Sequence, residues 1–406
     1  MEHVTARGLS RRGFVAGSLL GVAGVTAGAL GLVGTSYAKE ASASAGSSAD
    51  RAASSAASSG APTVDDILGE VAADGSWTFV DQNGVEATIP SLPVTRMVML
   101  QHHSLDMVCQ LGAQDAVVGV EAKWQSDLGD YMTQVFPGIE DLTMGSGLSE
   151  WNVEEIAALR PDVVIAASQA PEDAADQLRA MGVPVVTVSL RAEGKQEVAQ
   201  SPRLADADAA YTNGCEWAIK ALGRLTGRDE QAAAIWDFVR QSRARVDEAV
   251  GDIRDDERVR AFVPMKDDKT YGNDKYVGCQ LLRAGAVNVA AADIQGNGSY
   301  TVEQLATWDP DVIIIQDRYM DLYEQFTTDD RYAALRAVKD GNVLLAPYWT
   351  KPWGNPDTDS MALGELWLAH EFYPDRVGAD EVLARAKEFY RDFYGIEFTG
   401  SVDETA

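Results

Sequence analysis

The chain has 406 residues, a formal net charge of -28 and a pI near 4.4. That length gives room for two ordinary domains. Its acidic field repels phosphate, which excludes nucleic acid and anionic membrane surfaces as partners. Apolar content of 46 % and charged content of 24 % are those of a soluble globular protein rather than a disordered one.

In chain order, Ser10-Arg11-Arg12-Gly13-Phe14 precedes an uncharged run from Val15 to Tyr37. Basic start, apolar middle and small-residue end make 1–38 an export signal, and the paired arginines before Phe14 give it the twin-arginine form. Ser36-Tyr37-Ala38 suits cleavage. Retained, the apolar run is long enough to serve as an anchor. No cysteine lies near its end to carry a lipid. Residues 39–62 are nearly all Ala, Ser and Gly from Ala41 to Ala61, a flexible tether with too little apolar surface to fold. Residues 63–92 form an N-terminal extension.

From 93 to 203, strands and helices alternate. Strand segments are Arg96–Leu100, Ala116–Val120, Val163–Ala166 and Val185–Val188; helical ones are His103–Leu111, Ile156–Leu159 and Ala174–Met181. This order implies a parallel α/β lobe. From 204 to 256 only helical periodicity remains, in two helices separated by Thr226-Gly227. The second, Asp229 to Ile253, would be ~37 Å long, enough to run between domains. Alternation resumes in 257–406, with strands at Val259–Val263, Val312–Ile315 and Val343–Ala346 and helices at Leu281–Ala284, Met361–Phe372 and Glu381–Phe393. Cys109, Cys215 and Cys279 are odd in number and lack CxxC spacing. They read as buried thiols, with one bridge left open.

Asn152-Val-Glu-Glu-Ile-Ala-Ala-Leu-Arg-Pro-Asp-Val-Val-Ile recurs as Thr301-Val-Glu-Gln-Leu-Ala-Thr-Trp-Asp-Pro-Asp-Val-Ile-Ile. Each copy opens as a capping box, Asn152 with Glu155 and Thr301 with Gln304. Each helix stops before its proline, and a buried strand follows. Glu154 and Glu303 fall in the first helical turn, where a carboxylate complements the helix dipole.

The repeat, the long helix and the lobe order resemble the substrate-binding proteins of ABC importers for iron-siderophores, haem and cobalamin, the class III or helical-backbone type. The resemblance runs from about Leu92 to Tyr394. It implies two Rossmann-like α/β lobes with parallel sheets, one long rigid interlobe helix, a ligand cleft between the lobes and small closure motions. It also implies that Glu154 and Glu303 dock onto an ABC permease dimer, and that the segment from Tyr348 to Pro374 is the last pocket loop and helix.

In parallel sheets, ligands bind beyond the carboxyl ends of strands. That rule selects loops carrying His102, His103, Trp124, Ser146, Gln169, Lys266, Tyr271, Tyr300, Arg318, Tyr319, Tyr348, Trp349, Lys351 and Trp353 as candidate ligand-binding residues. His102 and His103 are two of only four histidines and are candidate metal ligands. Adjacent side chains on a strand point to opposite faces, however. Lys266, Arg318 and Lys351 are candidates for facing an anion. Trp349 and Trp353 flank Lys351 in a loop suited to an apolar wall.

The leading expectation is an exported, monomeric, non-catalytic binding protein. It needs no cofactor, captures an iron complex or other metal chelate, and delivers it to a permease. The membrane is met only through the permease or an uncleaved signal. Alternatives are the same scaffold binding cobalamin or an oxyanion such as molybdate or tungstate, an exported metal-dependent enzyme, and a surface interaction protein. The enzyme reading finds no HExxH, GxSxG or P-loop.

Overall fold

The computed structural model describes residues 63–192 and 204–402. The signal segment 1–38 and the tether 39–62 lie outside them. Two four-stranded parallel sheets organise the chain. The first contains β3 (Met97–Leu100), β4 (Val117–Val120), β5 (Val163–Ala167) and β6 (Val185–Val188), in the order β4-β3-β5-β6. The second contains β7 (Val259–Phe262), β10 (Ala286–Asn288), β12 (Val312–Ile315) and β13 (Val343–Leu345), in the order β10-β7-β12-β13. Neighbouring strands in both are parallel. Strands β3, β5, β6 and β12 are buried at every residue, which is why they read as continuous apolar runs rather than alternating ones.

The repeat is the same device in both lobes. Asp162 donates its backbone N–H to Arg96 O at 2.8 Å, and its carboxylate accepts the Arg96 N–H at 2.9 Å. Asp311 treats Arg260 alike, at 2.8 and 3.0 Å. The Arg96 and Arg260 guanidinium groups each reach back 2.6 Å to the carbonyl ending the repeat helix, Leu159 O and Trp308 O. The capping differs between the copies. Thr301 and Gln304 make both bonds of the box. Asn152 accepts from the Glu155 N–H, but the Glu155 carboxylate turns away to Gly145 N and Ser146 Oγ. The Asn152 N–H donates to Ser146 Oγ instead.

The helix Asp229–Val250 joins the lobes, and its 22 residues span ~33 Å. Arg228, just before it, donates to Gly112 O of the first lobe; near its far end, Ala249 O accepts from Arg376 of the second. Buried Arg243 is paired with buried Glu365 through two hydrogen bonds, which fixes this helix against the helix Glu365–Phe372. The three cysteines are all free and buried.

Two features were illegible as strings. The extension after residue 62 folds as a short helix, Val64–Leu68, and a hairpin of β1 (Trp77–Val80) with β2 (Glu86–Ile89). A small antiparallel sheet of β8 (Pro264–Met265), β9 (Lys269–Tyr271) and β11 (Asn297–Ser299) occupies part of what reads as loop. No described helix is long and apolar enough to cross a membrane.

Candidate functional site: the interlobe cleft

Two cavities open along the seam between the lobes, each lined by residues of both. The smaller, about 20 Å³, is lined by Gln101, His102, His103, Leu148, Ala167, Ser168, Gln169, Val188 and Ser189 of the first lobe and by Asn355 of the second. The larger, about 210 Å³, is lined by Gln125 to Asp130 of the first lobe and Asp317 and Arg318 of the second. Both lie beyond the carboxyl ends of strands, where the sheet topology puts a ligand.

The smaller cavity sits over the start of the helix His102–Gln110, whose N-cap Gln101 accepts the Ser104 N–H at 2.5 Å. Free N–H groups and the helix dipole favour an anion there. Burial holds His103 well below its ordinary pKa, aided by the charges of His102, Lys351, Arg318 and Lys275, so its imidazole is neutral at pH 7. The two imidazoles lie 4.4 Å apart, but His102 Nδ1 faces Glu121 and Asp127 while His103 Nδ1 faces Asp357. They do not aim these nitrogens at one ion.

Two buried cations lie near this cavity without lining it: Lys275, whose charge acts on His103, and Arg191, two residues after Ser189. Lys275 is buried and packs on Gly354, whose added Cβ would lie 3.0 Å from its Cε. Burial, then the charge of Arg191, pushes its pKa down to about 8. Arg191 is 2 % exposed, and its Nε and Nη2 have no hydrogen-bond partner among the described residues. A buried guanidinium nitrogen without an acceptor is costly. Its position is over-determined by the N-terminal hairpin. Gln82 Oε1 accepts the N–H groups of Ser189 and Leu190, and Gln82 Nε2 donates to Gly214 O. Gly214 is needed for that approach, because a Cβ there would come within 2.4 Å of Arg191 N.

Beneath the cleft lies a buried ionic cluster. Asp106 from the first lobe and Lys351, Asp357 and Asp359 from the second are all fully buried. Lys351 Nζ pairs with Asp106, with Asp359 at 2.6 Å and with Asp357 at 3.5 Å. Tyr131 and Tyr394 donate to Asp106 at 3.0 and 2.8 Å. Burial and the neighbouring carboxylates push Asp359 up to about 6 and Asp357 well above the usual range, against the pull of Lys351. Lys351 has a φ of +41°, a left-handed conformation that costs a non-glycine residue ~1 kcal/mol or more.

Of the sequence candidates, His102, His103, Gln169 and Arg318 line the cavities. Trp353 and Tyr319 stack on Arg318, at 4.7 and 5.3 Å. Tyr271 is buried behind Gly354, its hydroxyl accepting from Gln316, and Lys266 is an exposed rim residue paired with Asp321. The rest line neither cavity. Lys351 is held by three carboxylates rather than facing an anion. Trp349 packs on Phe398, Tyr300 on Phe262, and Tyr348 on Tyr131. Trp124 donates to Thr143, and Ser146 binds the first repeat helix. Asp127 and Asn355 line the cavities, and neither they nor Arg191 and Lys275 were sequence candidates; Glu121 directly follows β4, in a loop the strand-end rule selects. Arg191 follows β6 by three residues, so the strand-end rule reaches it. Lys275 carries no such signal.

This architecture is matched by known proteins. Residues 97–348 match the family model described as Periplasmic binding protein. The chain belongs to that family. It is an exported substrate-binding protein of an ABC importer, not an enzyme, and such proteins carry no cofactor beyond the ligand they transport. This periplasmic binding protein is 35 % identical over 317 residues to the molybdate-binding protein MolA of Haemophilus influenzae, covering 78 % of this chain and 90 % of MolA. The structure of MolA bound to molybdate superposes with a TM-score of 0.75 at 34 % identity, covering 79 % of this chain and 99 % of that one. A cobalamin-binding protein of Halobacterium salinarum is 30 % identical over 242 residues, 58 % of either chain.

Proposed function

We propose that this binding protein captures a small oxyanion of the molybdate class and hands it to an ABC permease. The observation that carries the reading is Arg191, a buried guanidinium whose Nε and Nη2 lack partners among the described residues. A tetrahedral oxyanion supplies the acceptors that such a group lacks, in charge-assisted bonds. Buried Lys275 and the N-terminus of the helix His102–Gln110 add positive potential on the same side of the cleft. The likeness to molybdate-binding MolA supports the same choice. The cavity of about 20 Å³ suits a small ion better than a haem, corrin or siderophore. The oxyanion therefore displaces the iron complex expected first.

The domain organisation expected from the sequence is retained in this reading, with lobes at 93–203 and 257–406 and helices between. The lobes stay nearly fixed, because the Asp229–Val250 helix is clamped to the second lobe by Arg243 and Glu365. Glu154 and Glu303 are exposed in the first turns of the two repeat helices and serve as the docking pair for the permease. Calorimetry on the purified protein with molybdate, tungstate, haem, cobalamin and a ferric siderophore tests the cargo. Binding of a ferric chelate without binding of either oxyanion overturns the reading.

A further inference from the structure

We propose a second site in the cleft, a divalent-cation site formed by His102, Glu121 and Asp127 of the first lobe. His102 Nδ1 lies 3.5 Å from Glu121 Oε1 and 3.6 Å from Asp127 Oδ2, and the three ligand atoms all fall within 4.8 Å of one another. Around a tetrahedral ion with bonds of ~2.1 Å, donor atoms lie ~3.4 Å apart. The two distances from His102 Nδ1 match that spacing.

Two buried atoms in the cluster lack partners. Glu121 has a fully buried side chain, and its Oε1 makes no hydrogen bond among the described residues. Its other oxygen accepts the Lys123 N–H at 3.0 Å. His102 Nδ1 is likewise buried without a hydrogen bond. A shared proton would draw the nitrogen to one oxygen, at 2.7–3.2 Å. Instead it stands nearly equidistant from two. One imidazole and two carboxylates suit Zn²⁺ or Mn²⁺.

The surroundings agree. Asp127 is 25 % exposed and lines the larger cavity, giving an ion a path in and room for a water in the remaining position. Asp127, Asp130 and Asp317 line the same opening against a single guanidinium, Arg318, so carboxylates outnumber cations there. On the oxyanion reading, on which this consequence rests, a bound cation also neutralises two carboxylates that would otherwise repel the cargo.

The full-length, tag-free protein is stripped with chelator and titrated with Zn²⁺ alone, with no oxyanion present, using calorimetry and elemental analysis. One ion per chain is expected, with affinity at least 100-fold weaker in Glu121→Gln and at least tenfold weaker in Asp127→Asn. Because Glu121 is buried, circular dichroism checks its variant; partly exposed Asp127 keeps the test decisive if Glu121→Gln does not fold. No bound Zn²⁺, or Zn²⁺ binding unchanged in Asp127→Asn, overturns the site. Molybdate is titrated afterwards, with and without Zn²⁺. Its failure in both arms counts against the oxyanion reading and leaves the cation result standing.

Discussion

Lys351 Nζ lies 2.6 Å from Asp359 Oδ2, and neither side chain is exposed to solvent. Among the described residues, Lys351 is the only lysine or arginine paired with the three buried carboxylates Asp106, Asp357 and Asp359, which come from both lobes. Breaking a buried ionic cluster by removing one partner typically costs 3–5 kcal/mol, since the remaining charge is left without compensation. Lys351→Met should lose about that much in urea unfolding, with far less effect on Zn²⁺ binding to the first lobe.

The same cluster predicts a pH dependence. Asp359 sits at about 6 in the folded protein, above its ordinary 3.8. Between those values the folded state holds the proton that the unfolded state has released, so this group's contribution to stability declines as pH rises from about 4 to about 6. Asp357 is shifted the same way. Measured as a difference in unfolding free energy, wild type relative to Asp359→Asn should lose ground across that window and level off above it. A difference that grows with pH would show that Lys351 holds Asp359 ionised throughout.

Arg191 separates binding from folding. Replacing this buried guanidinium, whose Nε and Nη2 lack partners among the described residues, with Met should leave the ligand-free melting temperature unchanged or raised. The same change should weaken molybdate binding roughly 10- to 150-fold, the loss of a charge-assisted hydrogen bond worth ~1.5–3 kcal/mol. Calorimetry and a thermal melt on one preparation check both. A large drop in melting temperature would show that Arg191 has a structural partner.

Lys275 is pushed down to about 8 by burial and by Arg191, so it is charged below that pH and neutral above it. An anion binds the charged form better, so molybdate affinity should fall as pH rises from 8 toward 10. In Lys275→Met, affinity should be lower at pH 7, and the part of the decline due to this group should vanish. Arg191 retains its charge over that range, and His103 is already neutral there.

Glu154 and Glu303 test the docking proposal. Both are exposed, and Glu303 is held below its ordinary pKa by hydrogen bonds at its helix start. Reversing both to Lys should reduce ATP-driven uptake in reconstituted permease vesicles at least tenfold while leaving molybdate affinity unchanged. Uptake that persists would leave these residues with only their role of complementing the helix dipole.

The sequence by itself determined what local chemistry decides. Apolar runs at β3, β5, β6 and β12 are strands because they are buried on both faces, and the repeat begins where Asn152 and Thr301 can cap a helix. The two-lobed order, the long helix and the family followed from those signals. Tertiary structure alone decided which charges meet. Lys351 and Asp106 are 245 positions apart, yet they are paired, and this removed Lys351 from the candidate pocket. Arg191, proposed as an anion ligand, is placed by Gln82, 109 positions earlier, and by Gly214, which hold its loop. Whether a lysine or arginine serves the core or the cleft depends on where its partner carboxylate lies. No local periodicity records that distance.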